Sequence, residues 1–193
     1  PSSPTALEFA PVAAGQEAQI LAQREASRPL SLYVHIPFCA HLCYYCACNK
    51  IVTKKRGQAA DYLDVLKQEI HQKAALLRAA GRLSVVEQVH FGGGTPTFFS
   101  DAQLSELWQC LREAFEFSTA QTADFSIEID PRELRPTTLA TLKTLGFNRL
   151  SFGVQDIDPV VQKAVNRVQP LALVQAVMQA ARGLGFGSIN IDL

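Results

Sequence analysis

Five short runs along the chain alternate apolar with polar residues: 31–36 (SLYVHI), 86–91 (VEQVHF), 125–130 (FSIEID), 148–154 (NRLSFGV) and 188–193 (SINIDL). Successive side chains of a strand point to opposite faces. Phe125, Ile127 and Ile129 therefore oppose Ser126, Glu128 and Asp130, and Leu150, Phe152 and Val154 oppose Arg149, Ser151 and Gln155. Ile189, Ile191 and Leu193 oppose Asn190 and Asp192, His90 stands against Val89 and Phe91, and Tyr33 and His35 stand against Leu32, Val34 and Ile36. Helical patterns lie between these runs. Tyr62, Val65, Leu66, Ile70, Ala74 and Leu77 give one apolar face, and Leu104, Leu107, Trp108, Leu111 and Phe115 a second, with Ser100 or Asp101 as N-cap. Leu139, Leu142 and Leu145 give a third, and Leu173, Val174, Val177, Met178, Ala181 and Leu184 a fourth. Two helices close on the same tripeptide, Leu145-Gly146-Phe147 and Leu184-Gly185-Phe186, with glycine as the left-handed stop.

Repeated βα units imply an α/β fold with a parallel sheet or barrel. A parallel sheet covered on both faces reads as continuous apolar runs, which these are not. One apolar and one polar face per strand predicts a barrel wall packed by helices outside and lining a polar cavity inside. Burying those polar groups is costly unless a ligand, water or metal meets them.

The chain has 193 residues, enough for one real core, and its 18 basic and 18 acidic residues balance. That balance gives no sign of a nucleic-acid surface or an acidic tail. No apolar run approaches the roughly 18 residues of a transmembrane helix. Residues 1–30 carry four prolines around one short helical pattern, GQEAQILAQREA, and read as an N-terminal arm ahead of a barrel spanning 31–193. The chain starts at Pro1 and stops inside the apolar run INIDL, so the expectation is a fragment ending at a fifth strand.

Four of the five cysteines fall within the loop after the first strand: Cys39, Cys43, Cys46 and Cys48. The fifth, Cys110, sits in a helical pattern and reads as core. Clustering argues against a secreted disulfide framework, which spreads its cysteines, and suits a reducing cytoplasm. Structural zinc usually takes two short-spaced ligand pairs separated by a longer stretch. One loop offering Cys-x3-Cys-x2-Cys instead suits a cuboidal 4Fe–4S cluster wrapped by a single segment. Three thiolates on four irons leave one iron open for an outside ligand, as in a catalytic centre. Spacing alone admits either Cys46 or Cys48 as the third ligand.

The spacing Cys39-x3-Cys43-x2-Cys46 resembles that of the radical S-adenosylmethionine superfamily. The ordered segments LYVHIPFCAHLCYYCACNK, HFGGGTPTFF, SIEIDPREL, FNRLSFGVQD, VNRVQ and NIDL, with PTALEF near the start, resemble the oxygen-independent coproporphyrinogen III oxidase family. The resemblance implies a partial (β/α)6 barrel, here without its sixth strand and C-terminal domain. It implies a 4Fe–4S cluster on Cys39, Cys43 and Cys46, with Cys48 close by in a role other than ligation. It implies two molecules of S-adenosylmethionine: Tyr33, Gly93 and Glu128 match contacts to the cluster-bound one, and Tyr45, Gly94, Thr95, Gln155, Arg167 and Asp192 match contacts to the second. The implied reaction converts two propionates of coproporphyrinogen III to vinyl groups, giving protoporphyrinogen IX, by way of a 5′-deoxyadenosyl radical. Implied with it are an electron donor such as flavodoxin or ferredoxin, a monomeric state and a cytoplasmic location. A fragment of this extent is expected to hold the cluster without turning over the porphyrinogen. A haem chaperone related to the oxidase is the alternative, although those relatives usually carry Phe where this chain has Cys48. A ferredoxin-like carrier with all four cysteines on the cluster would have no use for a ligand cavity.

Other residues carry weaker signals. In GGGTP (Gly92 to Pro96) the glycines would let backbone N–H groups approach and cradle a ligand carboxylate. Glu128 and Asp130 could form an acid–base pair, but hydrogen bonding to ribose or an amine fits radical chemistry better. Arg167, by sequence alone, reads as decoration of a helix surface. His35 and His90 read as satisfied histidines rather than metal ligands, and His41 and His71 carry no signal.

Overall fold

The structure, a computed structural model, describes Ala13 and residues 15–193. PTALEF and the prolines at 1, 4 and 11 lie outside the described residues. In chain order the elements are α1 (Gln16–Gln23), β1 (Leu30–Ile36), β2 (Phe38–Cys39), β3 (Ile51–Val52), α2 (Gln58–Ala79), β4 (Val86–Gly93), α3 (Asp101–Ala114), β5 (Asp124–Ile129), α4 (Thr138–Leu145), β6 (Arg149–Gly153), α5 (Pro159–Ala164), α6 (Leu171–Gly183) and β7 (Ser188–Asp192). All five alternating runs are strands. They form one parallel sheet in the order β1-β4-β5-β6-β7.

That order never reverses, which separates this α/β fold from doubly wound sheets and their switch point. Crossovers in βαβ units are right-handed, so an unreversed order keeps the connecting helices on one face. In keeping with this, α2 packs on α3 and α3 on α4. The other face carries the polar side chains in lateral rows set by the register. Tyr33, His90, Ser126, Arg149 and Ser188 share one row; His35, Gly92 and Asn190 lie in the next, with Glu128 beside Ser151. Among the described residues the sheet is not closed, for β1 and β7 each pair with one main-sheet neighbour. The predicted cavity is thus a partly open trough, in which the side chains of His90 and Glu128 keep 33% and 39% of their exposure.

The core lies between sheet and helices. Trp108 of α3 is its hub, with ring centroids 4.7 Å from Phe147, 5.3 Å from Phe117 and 5.6 Å from Phe125. On α2 the buried face is Ala59, Leu63, Ile70, Ala74 and Leu77. Val65, expected on that face, is exposed, since it lies half a turn away from Leu63 and Ile70. Gly146 caps α4 in the left-handed conformation at φ 101°. Leu184 of the last apolar pattern is exposed. The two-stranded β2–β3 sheet and the six-residue α5 have no periodicity long enough to read from sequence.

Ser100 is the N-cap of α3, in a reciprocal capping box with Gln103. Asp101 does other work: its Oδ1 accepts from Arg135 Nη2 and Thr138 Oγ1, each at 2.7 Å, and so ties α3 to the start of α4. Burial alone would raise its carboxyl pKa, but hydrogen bonds from Thr137, Thr138 and Arg135 outweigh that and hold it below the usual range. Its contribution is therefore complete above the ordinary carboxylate pKa and is lost as pH falls through the lowered one. Asp101→Asn is expected to cost about 1–3 kcal/mol at neutral pH. Urea unfolding at several pH values checks this, with the gap to the parent chain narrowing under acid conditions.

Candidate active site at the strand ends

Each strand delivers its functional residues at its C-terminal end, where ligands of parallel α/β folds bind. The cysteine loop follows β1, the glycine run ends β4, Glu128 and Asp130 close β5, Gly153 and Gln155 close β6, and Asp192 ends β7.

The cysteine loop is anchored on both sides. Cys39 pairs with Val52 across β2–β3, and Thr53 donates its N–H to the Cys39 carbonyl at 2.9 Å. Farther along, Tyr44 N–H donates to Val165 O at 3.0 Å, and Asn166 Nδ2 donates to Leu42 O at 2.8 Å. All five cysteines are free thiols. Cys48 turns toward Cys46, its Sγ 2.7 Å from the Cys46 sulfur. Burial, followed by the hydrogen bond and charge of Cys46, pushes the Cys48 thiol up to about 12.

N–H groups of the glycine run are already used within the chain: Gly93 donates to Glu128 Oε2 at 3.2 Å, Gly94 to Ile36 O at 2.9 Å and Thr95 to Phe38 O at 2.7 Å. Glycine is needed because the run lies against the cysteine loop. A Cβ at Gly94 would stand 2.7 Å from Phe38 O and 2.9 Å from Cys39 Sγ. At Gly93, φ is 115° and a Cβ would meet His35 at 2.8 Å. The run is thus also a packing surface for the cysteine loop.

Beside it, His35 Nε2 must donate to Asn49 O at 3.0 Å, since a carbonyl only accepts. Its Nδ1 lies 3.0 Å from Tyr33 Oη. His90 Nε2 meets Glu128 Oε1 at 3.1 Å, and its Nδ1 lies 2.8 Å from Ser126 Oγ. Both histidines are satisfied by the chain, as their strand positions suggested.

Asp130 is buried and holds two guanidinium groups. Arg132 meets it through Nε at 3.0 Å and Nη2 at 2.7 Å, and Arg167 Nη1 stands 3.3 Å from Oδ2. Burial would raise the Asp130 pKa; the hydrogen bond of Arg132 and the charges of Arg167 and Arg132 bring it below the ordinary value instead. Asp130 is thus an ion-pair centre and no acid–base partner of Glu128. Arg167 is not helix decoration either: it is 8% exposed and also donates through Nη2 to the Gly153 carbonyl. Arg132 was missed in the sequence, although Asp-Pro-Arg directly after a strand places an arginine at short range from its aspartate.

One pocket collects most of these groups. Cys39, Cys43 and Cys46 line it, together with Gly93, Gly94 and Thr95. Glu128, Gln155, Arg167 and Asp192 complete the wall. Gln155 adopts φ 70°, a left-handed conformation uncommon for a non-glycine residue, while its N–H donates to Asp192 O at 2.7 Å. Three expected residues lie outside the lining. Cys48 faces Cys46, and Tyr33 stacks on His90 in a more exposed row with centroids 5.9 Å apart. Tyr45 is exposed and reaches Leu193 O at 3.5 Å.

The radical SAM superfamily's sequence profile matches residues 33–193. The chain belongs to the radical SAM superfamily. It is 54% identical over 170 residues to the oxygen-independent coproporphyrinogen III oxidase of Pseudomonas aeruginosa, covering 88% of this chain and 36% of that protein. It is 51% identical over 192 residues to the Escherichia coli oxidase, covering 100% and 41%. The solved coproporphyrinogen III oxidase of E. coli, described as a radical SAM enzyme, superposes with a TM-score of 0.89 over 98% of this chain and 42% of that one. The chain therefore spans about two fifths of the length of these relatives. Membership implies a 4Fe–4S cluster and S-adenosylmethionine, and the pocket fits them. Among the described residues no three His, Cys, Asp or Glu side chains converge on one point, as a single ion requires. Cys39, Cys43 and Cys46 instead line one pocket together, which suits donors to a body larger than a single ion.

Proposed function

We propose that this chain is the cluster-bearing part of an oxygen-independent coproporphyrinogen III oxidase, converting two propionates of coproporphyrinogen III to vinyl groups and giving protoporphyrinogen IX. The observation that carries the reading is the joint lining of one pocket by three cysteines from a single loop and by Glu128, Gln155 and Arg167 from three other segments. When bound, the cluster and S-adenosylmethionine supply one-electron cleavage to methionine and a 5′-deoxyadenosyl radical.

The chain's own residues bind and orient. Cys39, Cys43 and Cys46 would hold the cluster, and Cys48, its sulfur 2.7 Å from that of Cys46, is a candidate catalytic group. Glu128, fixed by His90 and by Gly93 N–H, accepts hydrogen bonds from the cluster-bound cofactor, with Tyr33 and Gly93 beside it. Gln155, Arg167 and Asp192 meet a second S-adenosylmethionine, together with Gly94, Thr95 and Tyr45. Residues 31–193 form a barrel wall of five parallel strands. The protein works as a monomer in a reducing cytoplasm, drawing electrons from flavodoxin or ferredoxin and using neither nucleic acid nor membrane; among the described residues no helix is long and apolar enough to cross one.

The test is chromatographic. The chain is reconstituted anaerobically with iron and sulfide, reduced, and given S-adenosylmethionine and coproporphyrinogen III. Methionine and 5′-deoxyadenosine are the expected products; an intact cluster that yields neither contradicts the reading. Vinyl formation is not expected from this chain alone; binding of coproporphyrinogen III to the reconstituted chain checks the substrate assignment separately.

A further inference from the structure

The geometry points to Asp130 as a positioning residue that aims Arg167 at an anionic group of the second S-adenosylmethionine. This rests on the proposed role of Arg167 above. Asp130 is 7% exposed and grips Arg132 through its backbone N–H at 3.0 Å as well as its guanidinium. Its Oδ2 is shared between Arg132 and Arg167. One carboxylate thus faces two guanidinium charges in a wall of low exposure.

The nearby acids do not redress the balance. Glu133 is taken by Arg56 and His41, and Glu128 by His90 and Gly93 N–H, while Asp192, which lines the same pocket, is offset by Lys50 of that lining. A buried excess positive charge is costly unless an anion meets it. Arg167 also has a buried Nε with no partner. A guanidinium offers five N–H donors, so Arg167 retains donor capacity while Asp130 and Gly153 O fix its orientation. Gly153 makes this placement possible, since a Cβ there would stand 2.9 Å from Arg167 Nη2. The carboxylate of an amino-acid moiety matches that charge, and bidentate recognition by arginine suits it. Asp130 touches no ligand in this arrangement and acts through Arg167.

A double-mutant cycle with a binding readout tests it, using the reconstituted chain and radiolabelled S-adenosylmethionine in equilibrium dialysis. Asp130→Asn is expected to weaken the second binding step about tenfold, as loss of one charged hydrogen-bond partner does. The change in cluster EPR line shape caused by the first molecule stays. In an Arg167→Ala background, Asp130→Asn adds nothing. Asp130→Asn binding like the parent chain while Arg167→Ala weakens the second step overturns the inference. Equal losses from Asp130→Asn with and without Arg167 overturn it too, showing a general structural effect. Arg167→Ala binding two molecules as the parent does refutes the underlying role of Arg167, a result distinct from both. Should Asp130→Asn fail to fold by circular dichroism, Asp130→Glu carries the same cycle, because it keeps the charge and moves the carboxylate. The expected result is then a smaller loss that also vanishes without Arg167.

Discussion

Cys39→Ser, Cys43→Ser and Cys46→Ser are each expected to strip nearly all cluster iron and sulfide from the reconstituted chain, whereas Cys48→Ser retains both. Thiolate is the ligand a cuboidal cluster requires, and a serine hydroxyl stays protonated near neutral pH. Cys48 is not expected to stand in, since it lies outside the pocket lining although its sulfur is 2.7 Å from that of Cys46. Iron and acid-labile sulfide assays on the four variants check this, and a Cys48→Ser chain that loses its iron with the others would move Cys48 into the ligand set.

Gly94→Val is expected to be nearly as damaging without replacing a ligand. Its Cβ would stand 2.7 Å from Phe38 O, 2.8 Å from Pro37 O and 2.9 Å from Cys39 Sγ, and two of these three are backbone atoms with little room to yield. Overpacking of this kind costs about 1–3 kcal/mol and occasionally more. Relief can come only by pushing the glycine run away from the cysteine loop. The expected outcome is a lower urea midpoint together with poor cluster uptake. A chain that tolerates valine on both measures would show that the contact between these segments is not needed.

The fold was legible because the strand signal has period two and recurs five times, so that each run reinforced the others. Polar faces were also legible, and Glu128, Gln155 and Asp192 reach the pocket from positions that alternation alone singled out. The rest depended on packing across the chain. Arg167 read as surface because its burial comes from Asp130 and Gly153, which lie far away in sequence. The packing role of the glycine run was not legible because nothing local reveals that the Ile36 and Phe38 carbonyls take the N–H groups of Gly94 and Thr95. Val65 failed because a helix face drifts with the 3.6-residue period, and its neighbours Leu63 and Ile70 set the buried line. The pairing of β2 with β3 spans the cysteine loop and is too short for any periodic signal.

The central claim is that three thiols hold the cluster and leave one iron open to S-adenosylmethionine. It is tested most directly by the EPR spectrum of the reduced, reconstituted chain with and without that cofactor. A 4Fe–4S signal whose line shape changes on addition, in the parent chain and in Cys48→Ser alike, is the expected result. A spectrum unchanged in the parent chain but responsive in Cys48→Ser would contradict it, placing Cys48 on the fourth iron and making the cluster closed.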